Sequence, residues 1–141
     1  MRLYLGAIVA VGMIGASIKD KGLDGLTVRE EPGRVVFHWS GKVEAPMLDK
    51  FKAAYAARAN DRRRIVISLD SPGGYVEHGS HLISFILKVQ ATHAVDTVVE
   101  KGSVCASMCV PIYLAWPHRV AAPGAKFMFH EVSFSSKVDD E

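Results

Sequence analysis

The sequence predicts an α/β fold with a largely parallel sheet flanked by helices, because strand-like and helix-like segments alternate through its centre. The clearest strand covers residues 65–69, a short and nearly continuous apolar run of the kind that is buried on both faces. A glycine-containing turn follows it. The next segment, residues 75–90, then repeats apolar residues at helical spacing.

The elements on either side of this unit complete the expected order. Residues 26–28 and 34–39 are predicted to form a hairpin around Pro32-Gly33, since Pro followed by Gly fits a reversing turn. A helix is expected from Pro46 to Ala59. The later elements are expected to be a strand over 95–99, a helix over 107–116, and a strand over 126–129 that leads to His130.

Length and composition limit the class of protein. With 141 residues, 49% of them hydrophobic and 23% charged, the chain has the size and composition of one globular domain. The net charge of +2 is too small to indicate a nucleic-acid partner, and none is expected. The basic run at residues 62–64 directly precedes a strand, so it is interpreted as a solvated edge.

The first sixteen residues form a separate segment. Arg2 is followed by an uncharged, mostly apolar stretch that ends in small residues, as in a secretory signal. An uncleaved membrane anchor and a buried first strand are the alternative interpretations. The expected organisation is a signal peptide or anchor over residues 1–16, a linker over 17–25 and a domain over 26–141. The protein is accordingly expected to be exported, periplasmic or membrane-anchored, with membrane association through residues 1–16.

The stretch around Ser107 is the strongest candidate for chemistry. Pro111 is tolerated only in the first turn of a helix, so the helix is expected to begin near Ser107, where unpaired N–H groups and the helix dipole favour developing negative charge. Gly73-Gly74 forms the preceding strand-to-helix junction. Both junctions are expected to face the same crevice, where their N–H groups could form an oxyanion hole.

The two cysteines, Cys105 and Cys109, bracket Ser107 symmetrically. A disulfide between them is left open, since four-residue spacing suits a disulfide poorly within a helix but the helix start falls between the two residues. An exported protein could oxidise such a pair. The nearest histidines show no ligand spacing, so neither a metal site nor any other cofactor is expected.

These motifs together resemble a known family. The Ser-Pro-Gly-Gly turn of residues 71–74, the Cys-Ala-Ser-Met-Cys run of residues 105–109, and Arg119, Pro123 and His130 follow in the order and approximate spacing of the Clp protease proteolytic subunit. That subunit belongs to the wider Clp-protease and crotonase superfamily. The resemblance covers roughly residues 35–134, and it implies a crotonase-like fold of repeated strand-strand-helix units.

The resemblance also implies roles for individual residues. It assigns the nucleophile to Ser107, the general base to His130, and the oxyanion-hole N–H groups to Gly74 and Met108. A serine hydroxyl needs an adjacent base, and the tetrahedral oxyanion needs fixed donors. The implied function is an ATP-independent serine peptidase of an exported or membrane-associated type, acting on a peptide or protein. A homo-oligomer is compatible with this reading.

The chain departs from the family pattern at its third triad member. The family has an aspartate well downstream of the histidine, whereas only Asp139 and Asp140, in a polar tail, follow His130 here. The fold is therefore expected to be incomplete at the C-terminus, and turnover is expected to be slow because no carboxylate orients the imidazole. Two alternative functions stay open: an inactive Clp-like fold used for binding or assembly, and a crotonase-type acyl-thioester enzyme.

Overall fold

The computed structural model describes residues 25–130, which form three helices and seven strands. In chain order the elements are β1 Leu26–Glu31, β2 Arg34–Ser40, α1 Met47–Ala56, β3 Arg64–Asp70, α2 Val76–Val89, β4 Val95–Val99, β5 Val104–Ala106, α3 Cys109–Leu114, β6 Arg119–Ala121 and β7 Lys126–Met128. The predicted α/β class is confirmed.

The main sheet has five strands in the order β1-β2-β3-β4-β6. β1 pairs antiparallel with β2 through the predicted hairpin, and every later pair in this sheet is parallel. The parallel strands are joined through helices, as parallel pairing requires. The sheet is therefore largely parallel, as the alternation of elements predicts.

The core lies between this sheet and the three helices. Alternate residues of β3, Ile65, Ile67 and Leu69, belong to one buried cluster that also takes in residues of α1, α2 and α3. Successive strand residues point to opposite faces, so Val66 and Ser68 face the other side of the sheet, where both are also buried. The prediction that this strand is covered on both faces is thus confirmed.

A second, smaller layer of parallel pairing lies at the carboxyl ends of the main strands. Val43 pairs with Gly74, Ser71 pairs with Cys105, and β5 pairs with β7. Each of these short segments follows a strand of the main sheet, and the first three precede α1, α2 and α3 respectively. The chain is therefore built from strand-strand-helix units, as the crotonase-like pattern implies.

Several predicted boundaries are wrong. β5 and β6 are absent from the sequence-based order, because a three-residue strand is too short to show a period. The helix expected over residues 107–116 covers only Cys109–Leu114, since Ser107 lies in a turn before it. The helix expected to end at Ala59 ends at Ala56, and β1 extends to Glu31, beyond the predicted residue 28.

The predicted signal or anchor over residues 1–16 lies outside the described residues. The same holds for the predicted linker, apart from Gly25, and for Asp139 and Asp140. Across residues 25–130, none of the helices has the length and apolar character needed to cross a membrane.

Candidate active site

Ser107 occupies a sharp turn between β5 and α3. Its φ is 52°, and it is the one non-glycine residue with positive φ among residues 25–130. A side chain in this left-handed region costs roughly 1–2 kcal/mol, so the surrounding structure must impose the conformation. The Ser107 N–H donates to the Met128 carbonyl at 3.0 Å, and the Ser107 carbonyl accepts from the Val110 N–H at 3.0 Å. The turn is thus held on both sides of the serine.

The glycine turn packs directly against this serine. A Cβ added to Gly73 would lie 2.5 Å from the Ser107 Cβ and 3.0 Å from the Met108 nitrogen. Gly73 also has a φ of 94°, which a residue with a side chain rarely adopts. Its N–H donates to the Ser71 hydroxyl at 3.1 Å. The structure therefore brings together the two junctions that the sequence predicts to share a crevice.

The backbone N–H groups of Gly74 and Met108 form no hydrogen bond within residues 25–130. The bridge to Val43 uses the Gly73 carbonyl and the Tyr75 N–H, so the Gly74 N–H points away from Val43. On that side lies the segment that carries Ser107, because the neighbouring Ser71 pairs with Cys105. Both N–H groups are thus unpaired among residues 25–130, and that of Gly74 lies on the side of its segment that faces the segment of Ser107.

Met108 is fixed by its own side chain. It is 8% exposed, and a Cβ added to Gly79 of α2 would lie 2.5 Å from the Met108 Cε. The absence of a side chain at Gly79 therefore leaves the space that Met108 fills. This packing ties Met108, whose N–H has no partner in the described part of the chain, to a long helix.

His130 follows the strand that pairs with the Ser107 segment. The Met128 carbonyl accepts the Ser107 N–H, and His130 is two residues further along the chain. Two residues span at most about 7 Å, so the His130 backbone lies within that distance of Met128. His130 is exposed and forms an interaction of its own. Its bond to Ser107 stays a prediction.

Cys105 and Cys109 are joined by a disulfide in the structure. Cys105 lies in β5 and Cys109 is the first residue of α3, so the pair spans the Ser107 turn and does not lie within one helix. Their Cα atoms are 5.2 Å apart, within the usual range for a disulfide. Both residues are 0% exposed.

A second serine–histidine pair, which sequence reasoning missed, lies on the opposite face of the main sheet. The Ser68 hydroxyl donates to Glu100 Oε1 at 3.1 Å and accepts from His38 Nδ1 at 2.8 Å. Arg29 donates to the same Glu100 oxygen at 2.8 Å. The parallel register that sets His38 beside Ser68 depends on strand pairing, so the sequence alone offers no signal for it.

This network shifts the pKa of Glu100. Partial burial alone would raise the pKa of its carboxyl, but the hydrogen bonds from Arg29 and Ser68 outweigh burial and lower the pKa from its ordinary value. Glu100 is therefore held ionised as part of a structural ion-pair network. No cluster of metal-ligating side chains occurs among the residues that the structure describes.

Comparison with known proteins assigns the family. The sequence profile of the Clp protease family matches residues 41–139, which include the glycine turn, Ser107 and His130. The chain belongs to the Clp protease family. No curated protein matches this Clp-family chain.

Solved structures share its fold. The ClpP protease catalytic domain from Plasmodium falciparum aligns at a TM-score of 0.60 and 17% identity, over 72% of this chain and 55% of that one. A mutant of the 1510-N membrane-bound stomatin-specific protease in complex with a substrate peptide aligns at 0.55 and 24% identity, over 64% and 41%. A second mutant of that protease aligns at 0.56 and 22% identity, over 64% and 44%.

These likenesses establish a Clp-type fold for the described residues. The Clp-family chain spans about half the length of the solved proteins that it matches.

Proposed function

We propose that this protein is an ATP-independent serine peptidase in which Ser107 is the nucleophile and His130 the general base. The N–H groups of Gly74 and Met108 form the oxyanion hole. The substrate is a peptide or protein, and the chain uses no cofactor. Membership of the Clp protease family supports the class of reaction.

The observation that carries the proposal is the conformation of Ser107. Its positive φ sets it in a tight turn between a strand and a helix, and Gly73 packs against it. Within residues 25–130 its hydroxyl has no hydrogen-bond partner, and the side chain is partly exposed. A backbone strained at one serine, beside two free N–H donors, is the kind of feature that clusters at active sites.

The proposed reaction has two halves. The Ser107 Oγ attacks the peptide carbonyl carbon while its proton passes to His130, and the two N–H groups bind the resulting oxyanion. The C–N bond then breaks, and the amine leaves with the proton from His130. Water, deprotonated by His130, attacks the acyl-enzyme, the C–O bond to Ser107 breaks, and His130 returns the proton to the Ser107 Oγ, which releases the acid and the free serine.

Exposed apolar side chains next to the site support a peptide substrate. Tyr75 directly follows Gly74 and is 64% exposed, and Phe129 directly precedes His130 and is 74% exposed. Apolar side chains left in water beside a polar site are common where a partner binds. An extended peptide with apolar side chains has the chemistry to cover them.

Labelling with a fluorophosphonate probe tests the proposal, because the probe phosphonylates an activated serine. We expect one label per chain, located at Ser107 by peptide mapping, and its loss in Ser107→Ala. Ser80→Ala is the matched control. Ser80 is exposed on α2 and should take no label itself, so this variant should keep the full label at Ser107. His130→Gln should slow labelling strongly while leaving the fold unchanged by circular dichroism.

The other functions predict different results. A folded protein that takes no label in any form would favour the binding or assembly protein over the peptidase. An acyl-thioester enzyme would hydrolyse or rearrange an acyl-thioester without any label at Ser107. A peptidase should instead release alcohol from a peptide ester, or amine from a peptide amide, and this release should fall in proportion to the fraction of Ser107 that is labelled.

We further propose that the protein is exported to the periplasm or anchored in a membrane by residues 1–16, with a linker over 17–25 and a domain over 26–141. The apolar stretch after Arg2 and the paired cysteines support this location. A reporter enzyme that is active only outside the cytoplasm, fused after Glu141, should be active. Deleting residues 1–16 should abolish that activity.

We also propose that the protein is a homo-oligomer. Light scattering tests this, because the mass measured in solution should then be a multiple of the mass of one chain.

A further inference from the structure

The disulfide encloses the reactive turn in a small ring. Cys105 and Cys109 are its ends, so the ring contains Ser107 and Met108, the proposed nucleophile and one proposed oxyanion donor. The peptide plane between these two residues sets the direction of the Met108 N–H. Any change in the separation of Cys105 and Cys109 therefore changes both groups together.

The elements on either side of the ring are short. β5 has three residues and α3 has six. A strand or helix of this length has little stability of its own, because few hydrogen bonds offset the entropy of ordering it. These two elements alone are weak anchors for a serine held at positive φ.

The hydrogen bonds of the Ser107 backbone do not join β5 to α3. They run to Met128 of β7 and to Val110 of α3, so they fix the serine to each neighbour separately. The disulfide adds a second covalent link between β5 and the start of α3, beside the main chain itself. A small ring of this kind limits how far the two ends of the turn can part.

We propose that the Cys105–Cys109 disulfide positions Ser107 and the Met108 N–H for reaction, and that reduction of this disulfide by a dithiol lowers the reactivity of Ser107. This inference rests on the proposed function for its effect on reactivity. A thiolate of the dithiol attacks one sulfur and releases the other cysteine as a thiolate, which takes up a proton. The second thiol of the reductant then displaces the first cysteine, so two protein thiols and one oxidised dithiol result.

Burial of the sulfurs controls the rate of this exchange. Both cysteines are 0% exposed, so a reductant reaches them only when the turn opens locally. The disulfide should therefore persist in weak reductant while the domain is folded. In the experiment, reduction is carried out in mild urea, which is then removed, and a mock-treated oxidised sample serves as its control.

The test compares the fluorophosphonate labelling rate of the oxidised and reduced protein, with thiols counted by alkylation of denatured aliquots. We expect reduction to slow labelling of Ser107 about ten- to a hundredfold, since small misplacements of reacting groups have effects of this size. Reoxidation should restore the rate. Equal rates in the two forms would overturn the proposal.

The double variant C105A/C109A is the matched control. It should label as slowly as the reduced protein and should not respond to the dithiol. A dithiol effect that persists in this variant would act elsewhere in the molecule and would overturn the proposal. Circular dichroism and thermal melting establish that the variant is folded before its rate is compared.

A readout independent of activity separates this inference from the proposed function. Amide hydrogen exchange at Ser107 and Val110 should quicken on reduction, while that of Ile65 and Ile67 in β3 should not change. If neither redox form takes the label, the serine peptidase fails, and the exchange rates alone decide the positioning role. Unchanged exchange at Ser107, or equal quickening in β3, would contradict that role.

Discussion

Two serines of the molecule can be compared: Ser68, which is hydrogen-bonded to His38, and Ser107, for which His130 is the proposed base. Their surroundings differ in exposure and in the use of the hydroxyl. Ser107 is partly exposed, and its hydroxyl is free within residues 25–130. Ser68 is 0% exposed, and its hydroxyl is engaged by both His38 and Glu100. A hydroxyl that already donates to a carboxylate and cannot meet a substrate is a structural group. Ser107 therefore differs from Ser68 in its exposure to solvent, in its unbonded hydroxyl within residues 25–130, and in the unpaired backbone N–H of the adjacent Met108.

The backbone conformations of Ser68 and Ser107 also differ. Ser68 lies inside a regular parallel strand, whereas Ser107 lies in a strained turn at the end of a strand. In a strand the neighbouring N–H groups are used by the sheet. At the turn, the Gly74 and Met108 N–H groups are left without partners among the described residues. Unpaired N–H groups of this kind are what the proposed oxyanion hole requires.

The largest effect is expected from Gly73→Ala. The new Cβ would lie 2.5 Å from the Ser107 Cβ and 2.7 Å from the Ala106 carbonyl oxygen, so the turn must shift. We expect fluorophosphonate labelling to fall by about a hundredfold or more. Gly33→Ala is the matched control, because Gly33 also has positive φ but has open space around it. Its labelling should match that of the unmodified protein, and equal losses in both variants would argue against a specific role for the contact.

Ser68→Ala should separate stability from reactivity. The change removes the hydroxyl that bonds both His38 and Glu100, while Glu100 keeps its bond from Arg29, so the free energy of unfolding should fall by about 0.5–1.5 kcal/mol. Chemical denaturation measures this loss. Labelling of Ser107 should not change, because the network lies on the opposite face of the sheet. A loss of labelling in the folded variant would show that the two regions are coupled.

Gly79→Ala tests whether Met108 holds its N–H in place through packing. The added Cβ would lie 2.5 Å from the Met108 Cε and 2.6 Å from its Cγ, so the side chain must move. The far end of methionine is flexible, so we expect labelling to slow only about three- to tenfold. Ser80→Ala on the same helix should have no effect. An unchanged rate in Gly79→Ala would mean that the Met108 backbone does not follow its side chain.

The smallest effect is expected from Glu100→Gln, which removes the charge from the network. Since the pKa of Glu100 is lowered in the fold, its contribution to stability is present above the ordinary value of 4.5 and is lost as the pH falls below it. The side chain is more than a third exposed, so the loss at neutral pH should be below about 1 kcal/mol. Thermal melting from pH 3 to 7 should show a shallower acid dependence in the variant. An identical profile would assign the acid dependence to other carboxylates, such as Asp61, whose bond to Arg63 lowers its pKa to about 2.

Much of the fold follows from local pattern. The strand at residues 65–69, the turn after it and the helix that follows are visible because apolar residues repeat with a period set by the backbone geometry. The same patterns indicate the hairpin around Pro32-Gly33. Family membership was visible in the order of three motifs, and it was confirmed by the match to residues 41–139.

The sequence alone determined which of the longer segments are strands and helices, and that Ser107 and Gly73-Gly74 each lie between a strand and a helix. Tertiary structure decided the rest, because the deciding contacts join residues far apart in the chain. Strand pairing brings Gly73 against Ser107 and forces a serine into a conformation that its own propensity disfavours. The same pairing sets His38 beside Ser68 and builds β5 and β6, which are too short to show a period of their own. Local periodicity carries no information about such partners, since they are selected only when the sheet assembles.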